Sequence, residues 1–386
     1  MKIIRYVLAF VISCAVGLLI GGGAAVLFTD ISWSQLMDKF AQIGAVSLLI
    51  LIVEAFLAVF VAGILGIIVH EGGHLIFGLL TGYRFVSFRV FSYTLVQTDG
   101  HFRLKRFALS GTGGQCLMRP PLRAIDDIDT RWYNAGGVVM NLLTAAIALT
   151  LYCYAPTDGS LLAEASELFC LMTFIVNSIY ALTNGIPMRM GGIGNDGYNL
   201  LHLETRPADK QLLYRLLEAN ALVQSGTRPK DLPSEWFPQP GTAGQIDWAD
   251  GLQANWQMMA VAYFEGQRDW DAAYRLLSDA MAHRHQLLGL FEKELTAEMV
   301  FVCLATGRID EARTYWSKDI AIYVRQYAKT QSSKQRILAA TTLRLENDHA
   351  RARQLLDTLR QHQTDYLLQG EVAMDLELTE ELVTAE

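Results

Sequence analysis

Apolar residues are spread unevenly along this chain. Four runs are long enough to cross a bilayer: Ile4 to Phe28, Ala45 to Leu80, Ala135 to Tyr154 and Leu168 to Ile186. A helical span needs about 20 apolar residues at about 1.5 Å each, and all four meet or nearly meet that length. The first run follows Lys2 and Arg5 and continues past Cys14. A cleaved signal peptide has an apolar stretch of roughly 7 to 15 residues, so this run is expected to stay as a membrane helix.

Between the second and third runs the period changes. "YRFVSFRVFSYTLVQ", Tyr83 to Gln97, alternates and is rich in β-branched and aromatic residues. It predicts a strand, with a hairpin return starting at Gly100. "SGTGGQCLMRPP", Ser110 to Pro121, reads as an irregular loop because of its glycines and prolines.

After Gly197 the long apolar runs stop. A helix is predicted from about Asp209 to Val223, and "SGTRPKDLPSEWFPQPGTAG" after it holds four of the nine prolines and reads as a linker. Then a plan recurs in "YFEGQRDWDAAYRLL", "LATGRIDEARTYW" and "RLENDHARARQLL": a helix end, a Gly or Asn turn, an acidic residue, and a helix with small Ala on its packing face. Gly266, Gly307 and Asn347 stand 41 and 40 residues apart. Two helices per unit at that period predict an α-solenoid similar to tetratricopeptide repeats.

The predicted fold is therefore mostly α: a polytopic membrane protein with about four transmembrane helices and a small β-hairpin, followed by a soluble solenoid. The expected division is a membrane core over 1–204, a helix and Pro-rich linker over 205–245, and the repeats over 246–386. Composition agrees, with 52% hydrophobic residues in 386. Net charge is −7, with no basic block to track a phosphate backbone, so nucleic acid is not an expected partner. The five cysteines form no CxxC pair and read as reduced, buried residues. Eight Lys and Arg lie between Gly82 and Arg131, whereas Thr29 to Gly44 holds only Lys39. The positive-inside rule then puts the N-terminus, the 82–131 loop and the C-terminal half in the cytoplasm.

Chemistry enters at "HEGGH", His70 to His74, inside the second run. Ionisable side chains in a membrane are costly unless paired, hydrated or bound to metal. Two histidines four apart on a helix project from one face one turn apart, as two cis ligands of a tetrahedral zinc require. Glu71 lies beside that face and can reach a water without coordinating the ion. A third ligand is needed, and the best candidate is Asp196 in "NGIPMRMGGIGNDGYNL", a Pro- and Gly-broken stretch that can fold back against the membrane. Read locally, Asp196 is an Asx turn before Gly197; His202 is a fallback ligand.

Three ordered motifs, "HEGGH", "NAGGVVMN" (Asn134 to Asn141) and "NGIP…NDG" (Asn184 to Gly197), resemble the site-2 protease family of intramembrane zinc metallopeptidases. The resemblance covers about Ala45 to Leu200. It implies one catalytic zinc ion on His70, His74 and Asp196, Glu71 as general base, and Asn141 and Asn184 holding the substrate backbone or its oxyanion. The expected activity is hydrolysis of a peptide bond in a membrane-anchored protein or peptide near the cytoplasmic face. A bacterial cytoplasmic membrane is the expected location, and the repeats would take a cytoplasmic protein partner. The alternative is a catalytically silent membrane adaptor that binds partners through the repeats.

Overall fold

The computed structural model describes residues 32–42, 44–98, 101–107, 113–155, 160–190, 192–242, 244–287 and 289–384. The expected helix Ile4 to Phe28 lies outside them.

A short helix α1 (Trp33–Gln42) precedes α2 (Ala45–Leu80), which takes up the whole second apolar run as one helix. After the sheet come α3 (Arg131–Cys153) and α4 (Leu161–Gly185). Among the described residues, three helices are long and apolar enough to cross a membrane. Helix α4 begins well before its apolar run. Ser160 caps it, with Oγ accepting from Ala163 N–H at 3.2 Å, and Glu164 and Glu167 in its first turns hide that start from a hydropathy reading.

These three helices pack together with their large apolar side chains turned outward: Leu49, Phe56 and Leu143 are all more than half exposed. Gly136, Gly137, Asn141 and Asn177 lie inside. Helices α2 and α3 cross backbone to backbone. A Cβ at Gly73 would stand 2.2 Å from the Gly136 carbonyl oxygen, and one at Gly136 would stand 2.5 Å from that of Gly73.

The expected single hairpin is instead a four-stranded antiparallel sheet in the order β3-β2-β1-β4: β1 (Arg84–Val90), β2 (Tyr93–Thr98), β3 (His101–Arg106) and β4 (Gly114–Arg119). Tyr83 to Gln97 is not one strand. It folds back at Phe91, whose φ of 52° lies in the left-handed region. Nothing in the local residues warns of it, since that turn holds none of the Gly, Asn or Asp residues that usually adopt it. The stretch read as a loop after Ser110 supplies the edge strand β4. Cys116, Leu117 and Met118 are buried there, so tertiary burial makes the strand rather than local propensity.

A two-stranded ribbon, β5 (Arg189–Met190) and β6 (Ile193–Gly194), leads into α5 (Asp196–His202). Helix α6 (Pro207–Gln224) ties the two halves together. Its Tyr214 packs with Tyr83, Cys116 and Met118, whereas Leu216, Ala219 and Val223 join the C-terminal core. Arg119 of β4 grips Glu218 through Nε and Nη2 at 2.6–3.0 Å. The Pro-rich stretch is folded onto the same core: Leu232, Phe237 and Trp248 are buried, and Phe237 stacks on Trp256 at 5.1 Å.

Three helical hairpins follow. They are α7 (Gly251–Gln267) with α8 (Trp270–Ala282), α9 (Gly289–Ala305) with α10 (Ile309–Tyr315), and, after α11 (Lys318–Tyr327), α12 (Ser332–Arg344) with α13 (His349–Gln361). Helix α14 (Gln369–Thr384) packs on the last pair. Each turn passes through a left-handed residue, Arg268, Gly307 and Asn347 in order. Ala272, Ala312 and Ala352, forty residues apart, are fully buried at equivalent places in the second helices.

Candidate active site

His70 and His74 project from one face of α2, with their Nε2 atoms 3.2 Å apart. Each ring is fixed through Nδ1: that of His70 lies 2.7 Å from Asn141 Oδ1, and that of His74 lies 2.8 Å from the Tyr133 carbonyl oxygen. Both partners are acceptors, so each Nδ1 carries the proton and each Nε2 points its lone pair inward.

Asp196 Oδ2 completes the triangle, 3.1 Å from His70 Nε2 and 3.3 Å from His74 Nε2. Its approach is built locally. Asn195 caps α5 by accepting from Tyr198 N–H at 2.9 Å, and its amide nitrogen donates to the Thr183 and Ile186 carbonyls at 2.8 and 2.7 Å. Gly197 lets α5 touch the end of α4, where a Cβ would stand 2.1 Å from the Gly185 oxygen.

These donors fit a metal ion. Asp196 Oδ2 is buried and accepts no hydrogen bond, and three atoms presenting lone pairs to one point repel unless a cation sits among them. Tetrahedral zinc with ligand bonds of about 2.0–2.2 Å has ligand atoms about 3.3 Å apart, the spacing found here. Among the described residues, His70, His74 and Asp196 are the group of His, Cys, Asp and Glu able to hold an ion together.

His70, His74, Glu71 and Asn184 line a cavity of about 650 Å³, with Asp196 and β4 residues Gly114 to Leu117 also in its wall. Glu71 is buried against β4, so closely that a Cβ on Gly114 would stand 2.6 Å from its Oε1. Strand β4 pairs with β1 on one side, and among the described residues no strand pairs with the other. Asn184 is half-buried and donates through Nδ2 to the Tyr180 oxygen at 2.9 Å. Asn141 is fully buried and committed: Oδ1 holds His70, while Nδ2 donates to Gly66 O at 3.1 Å and to Asn177 Oδ1 at 2.8 Å. His202 is not brought in; its Nδ1 lies 3.0 Å from the Tyr198 oxygen and its ring stacks on Tyr198. Cys116 lines the cavity, but burial, and then the nearby Glu71 charge, push its thiol up to about 12, which removes it as a nucleophile.

A profile of peptidase family M50 matches residues 56–356, most of the chain. The chain belongs to peptidase family M50. This is the site-2 protease family, so the protein is an intramembrane metalloprotease of a zinc-dependent class. No curated protein and no solved structure matches it.

Two polar residues of this M50 peptidase escape the sequence reading. Asn177 links α4 to Asn141 and donates to the Thr173 oxygen at 2.9 Å, and Asn195 aims Asp196. For Asn177 the available signal was an asparagine inside an apolar run. Asn195 has no such signal, because locally it resembles any turn residue.

Proposed function

We propose that this M50 peptidase cleaves a membrane-anchored protein or peptide near the cytoplasmic face, with His70, His74 and Asp196 as zinc ligands and Glu71 as general base. The observation that carries this reading is the triangle of Nε2, Nε2 and Oδ2 with edges of 3.1–3.3 Å, opening onto the cavity that Glu71 lines. Zinc, when bound, supplies a Lewis acid that brings the ionisation of a water near neutral pH and polarises a carbonyl.

The remaining steps fall to side chains. Glu71 removes the proton from the attacking water and passes it to the departing amine. Asn184, on the cavity wall, holds the substrate carbonyl as negative charge develops on it. Asn141 acts as a positioning residue, because both ends of its amide are already engaged by the protein. A peptide must be extended to expose its carbonyls, and the edge of β4 beside Glu71, which no described strand pairs, offers main-chain groups for strand addition.

In this reading both termini and the 82–131 segment face the cytoplasm of a bacterial cell. The hairpins form a tetratricopeptide-like stack that engages a protein partner, and we take the chain as a membrane core over 1–204, a connecting segment over 205–245 and the repeats over 246–386. The adaptor alternative leaves Glu71 beside the ligands without a role. The test is cleavage of a transmembrane reporter in proteoliposomes. Wild type is expected to cut and Glu71→Gln to fail while keeping its zinc; equal cleavage by both would end the proposal.

A further inference from the structure

The hairpins enclose a second polar constellation that the hydrolytic site does not use. A cavity of about 190 Å³ is lined by Glu265 of α7, Glu294 and Glu298 of α9, Lys334 and Arg336 of α12, and Glu371 and Asp375 of α14. Five carboxylates thus face two cations, and both cations are occupied. Lys334 pairs with Glu294, while Arg336 binds Glu298 through Nη2 and Asp375 through Nε, each at 2.7 Å.

Two carboxylates stand outside those pairs, Glu371 and Glu265, and Glu265 has only a longer ion pair with Arg336. It is fully buried, stands 3.2 Å from Arg336 Nη1, and neither of its oxygens accepts a hydrogen bond. Burial first, and then the neighbouring carboxylates, push Glu265, Glu371 and Asp375 up from the usual carboxylate range.

We propose that this cavity receives one basic side chain, arginine or lysine, from the extramembrane tail of the membrane-anchored substrate. Its size suits one long side chain; a helix, about 10–12 Å across, does not enter. Met258, Met259 and Leu368 on its wall suit an alkyl stem, and the carboxylates suit a charged head. The place also fits. Phe107, just past β3, lines the same cavity, and Lys105 Nζ fastens β3 to the Tyr366 carbonyl at 2.7 Å. The receptor therefore lies at the seam with the protease sheet. Membrane proteins carry Lys and Arg on their cytoplasmic flanks, so a substrate tail brings the missing charge. The inference rests on the proposed membrane-anchored substrate and cytoplasmic hairpins.

The test is a binding measurement on the full chain in detergent micelles, independent of cleavage. The probes are a pentapeptide with a central arginine and a neutral fluorophore, and its citrulline counterpart, which has the same shape without the charge. The arginine peptide is expected to bind about tenfold tighter, the worth of one charge-assisted hydrogen bond. Glu371→Gln, which changes a partly buried carboxylate of the cavity wall, is expected to abolish that preference; Glu346→Gln, on the exposed surface, is expected to keep it. Equal binding of the two peptides by wild type overturns the proposal whatever the variants do. So does a preference that survives in a folded Glu371→Gln protein, or one that Glu346→Gln removes equally. Should Glu371→Gln fail to fold, Glu298→Gln takes its place with the same expected outcome. A protein that binds arginine selectively but cuts no reporter would keep the cavity as a receptor for a basic side chain and overturn the assignment of that side chain to a substrate tail.

Discussion

In α2, α3 and α4 the positions facing outward are Leu, Ile, Val and Phe, while the interior holds Gly136, Gly137, Asn141 and Asn177. In the hairpins the interior is Ala272, Leu277, Leu295, Val300 and Ile337, and charged residues such as Asp348 and Arg353 face water. The contrast follows from the two solvents. Water drives apolar side chains together, so hydrophobic burial is the main force that holds the hairpins, around one buried cluster of ion pairs among Glu294, Lys334, Arg336 and Asp375. Lipid solvates Leu as well as a neighbouring helix does, so close backbone contact and hydrogen bonds must specify how the membrane helices pack. In the first region buried polar atoms are therefore part of the frame, and the candidate active site is an extension of that frame.

The sharpest way to separate frame from chemistry is Glu71→Gln. The residue is no member of the donor triangle, so its amide should leave zinc content unchanged while cleavage of a transmembrane reporter falls about 10²–10⁴-fold, the usual worth of a general base. Loss of zinc together with activity would put Glu71 among the ligands and break the assignment.

Asn141→Ala tests the frame itself. With its Oδ1 gone, the His70 ring loses the acceptor that fixes its tautomer and direction. Removing such a partner typically lowers metal affinity about 10–100-fold, readable by competition with a chelating dye. Unchanged zinc affinity with slower turnover would return Asn141 to the substrate and support the oxyanion role that the family resemblance implies.

The glycines give a paired test with a smaller effect. Gly73→Ala forces a methyl into the Gly136 carbonyl, whereas at Gly72 a Cβ meets nothing within 4 Å. Overpacking costs about 1–3 kcal/mol, so Gly73→Ala should unfold at a lower temperature in micelles and Gly72→Ala should match wild type. Equal behaviour of the two would mean that α2 and α3 do not meet backbone to backbone.

How much of this could be read from residues alone follows the same division. His70, Glu71 and His74 stood out because ionisable groups are expensive in an apolar run, and Asp196 because the chain breaks there beside glycines. The geometry brings His70, His74 and Asp196 to one point. The 40-residue recurrence of the hairpins was legible because each turn repeats the same backbone need, although the left-handed residue of the first is Arg268 rather than Gly266. The sheet was legible only in part: the hairpin return from Gly100 is there as β3 on β2, but the turn before β2 and the strand β4 were not foreseen. Phe91 turns the chain without a turn residue, and β4 owes its strand to the helices that cover Cys116 and Met118. Asn195 was missed because its work, capping α5 while holding the end of α4, depends on a fold-back that no local pattern records.

The smallest expected effect lies in the hairpins and asks whether the two regions are coupled. Asp348 caps α13, its Oδ1 accepting from Arg351 N–H at 2.8 Å, and it is exposed to solvent. Asp348→Ala should cost about 1 kcal/mol, seen as a lower unfolding temperature for the C-terminal region. Helix α13 touches neither the donor triangle nor β4, so cleavage of a reporter without a basic tail should stay at the wild-type rate. A fall in that rate would mean that the stack props the protease sheet through contacts such as Lys105 with Tyr366, and hydrophobic burial in one region would then be setting the geometry of the polar frame in the other.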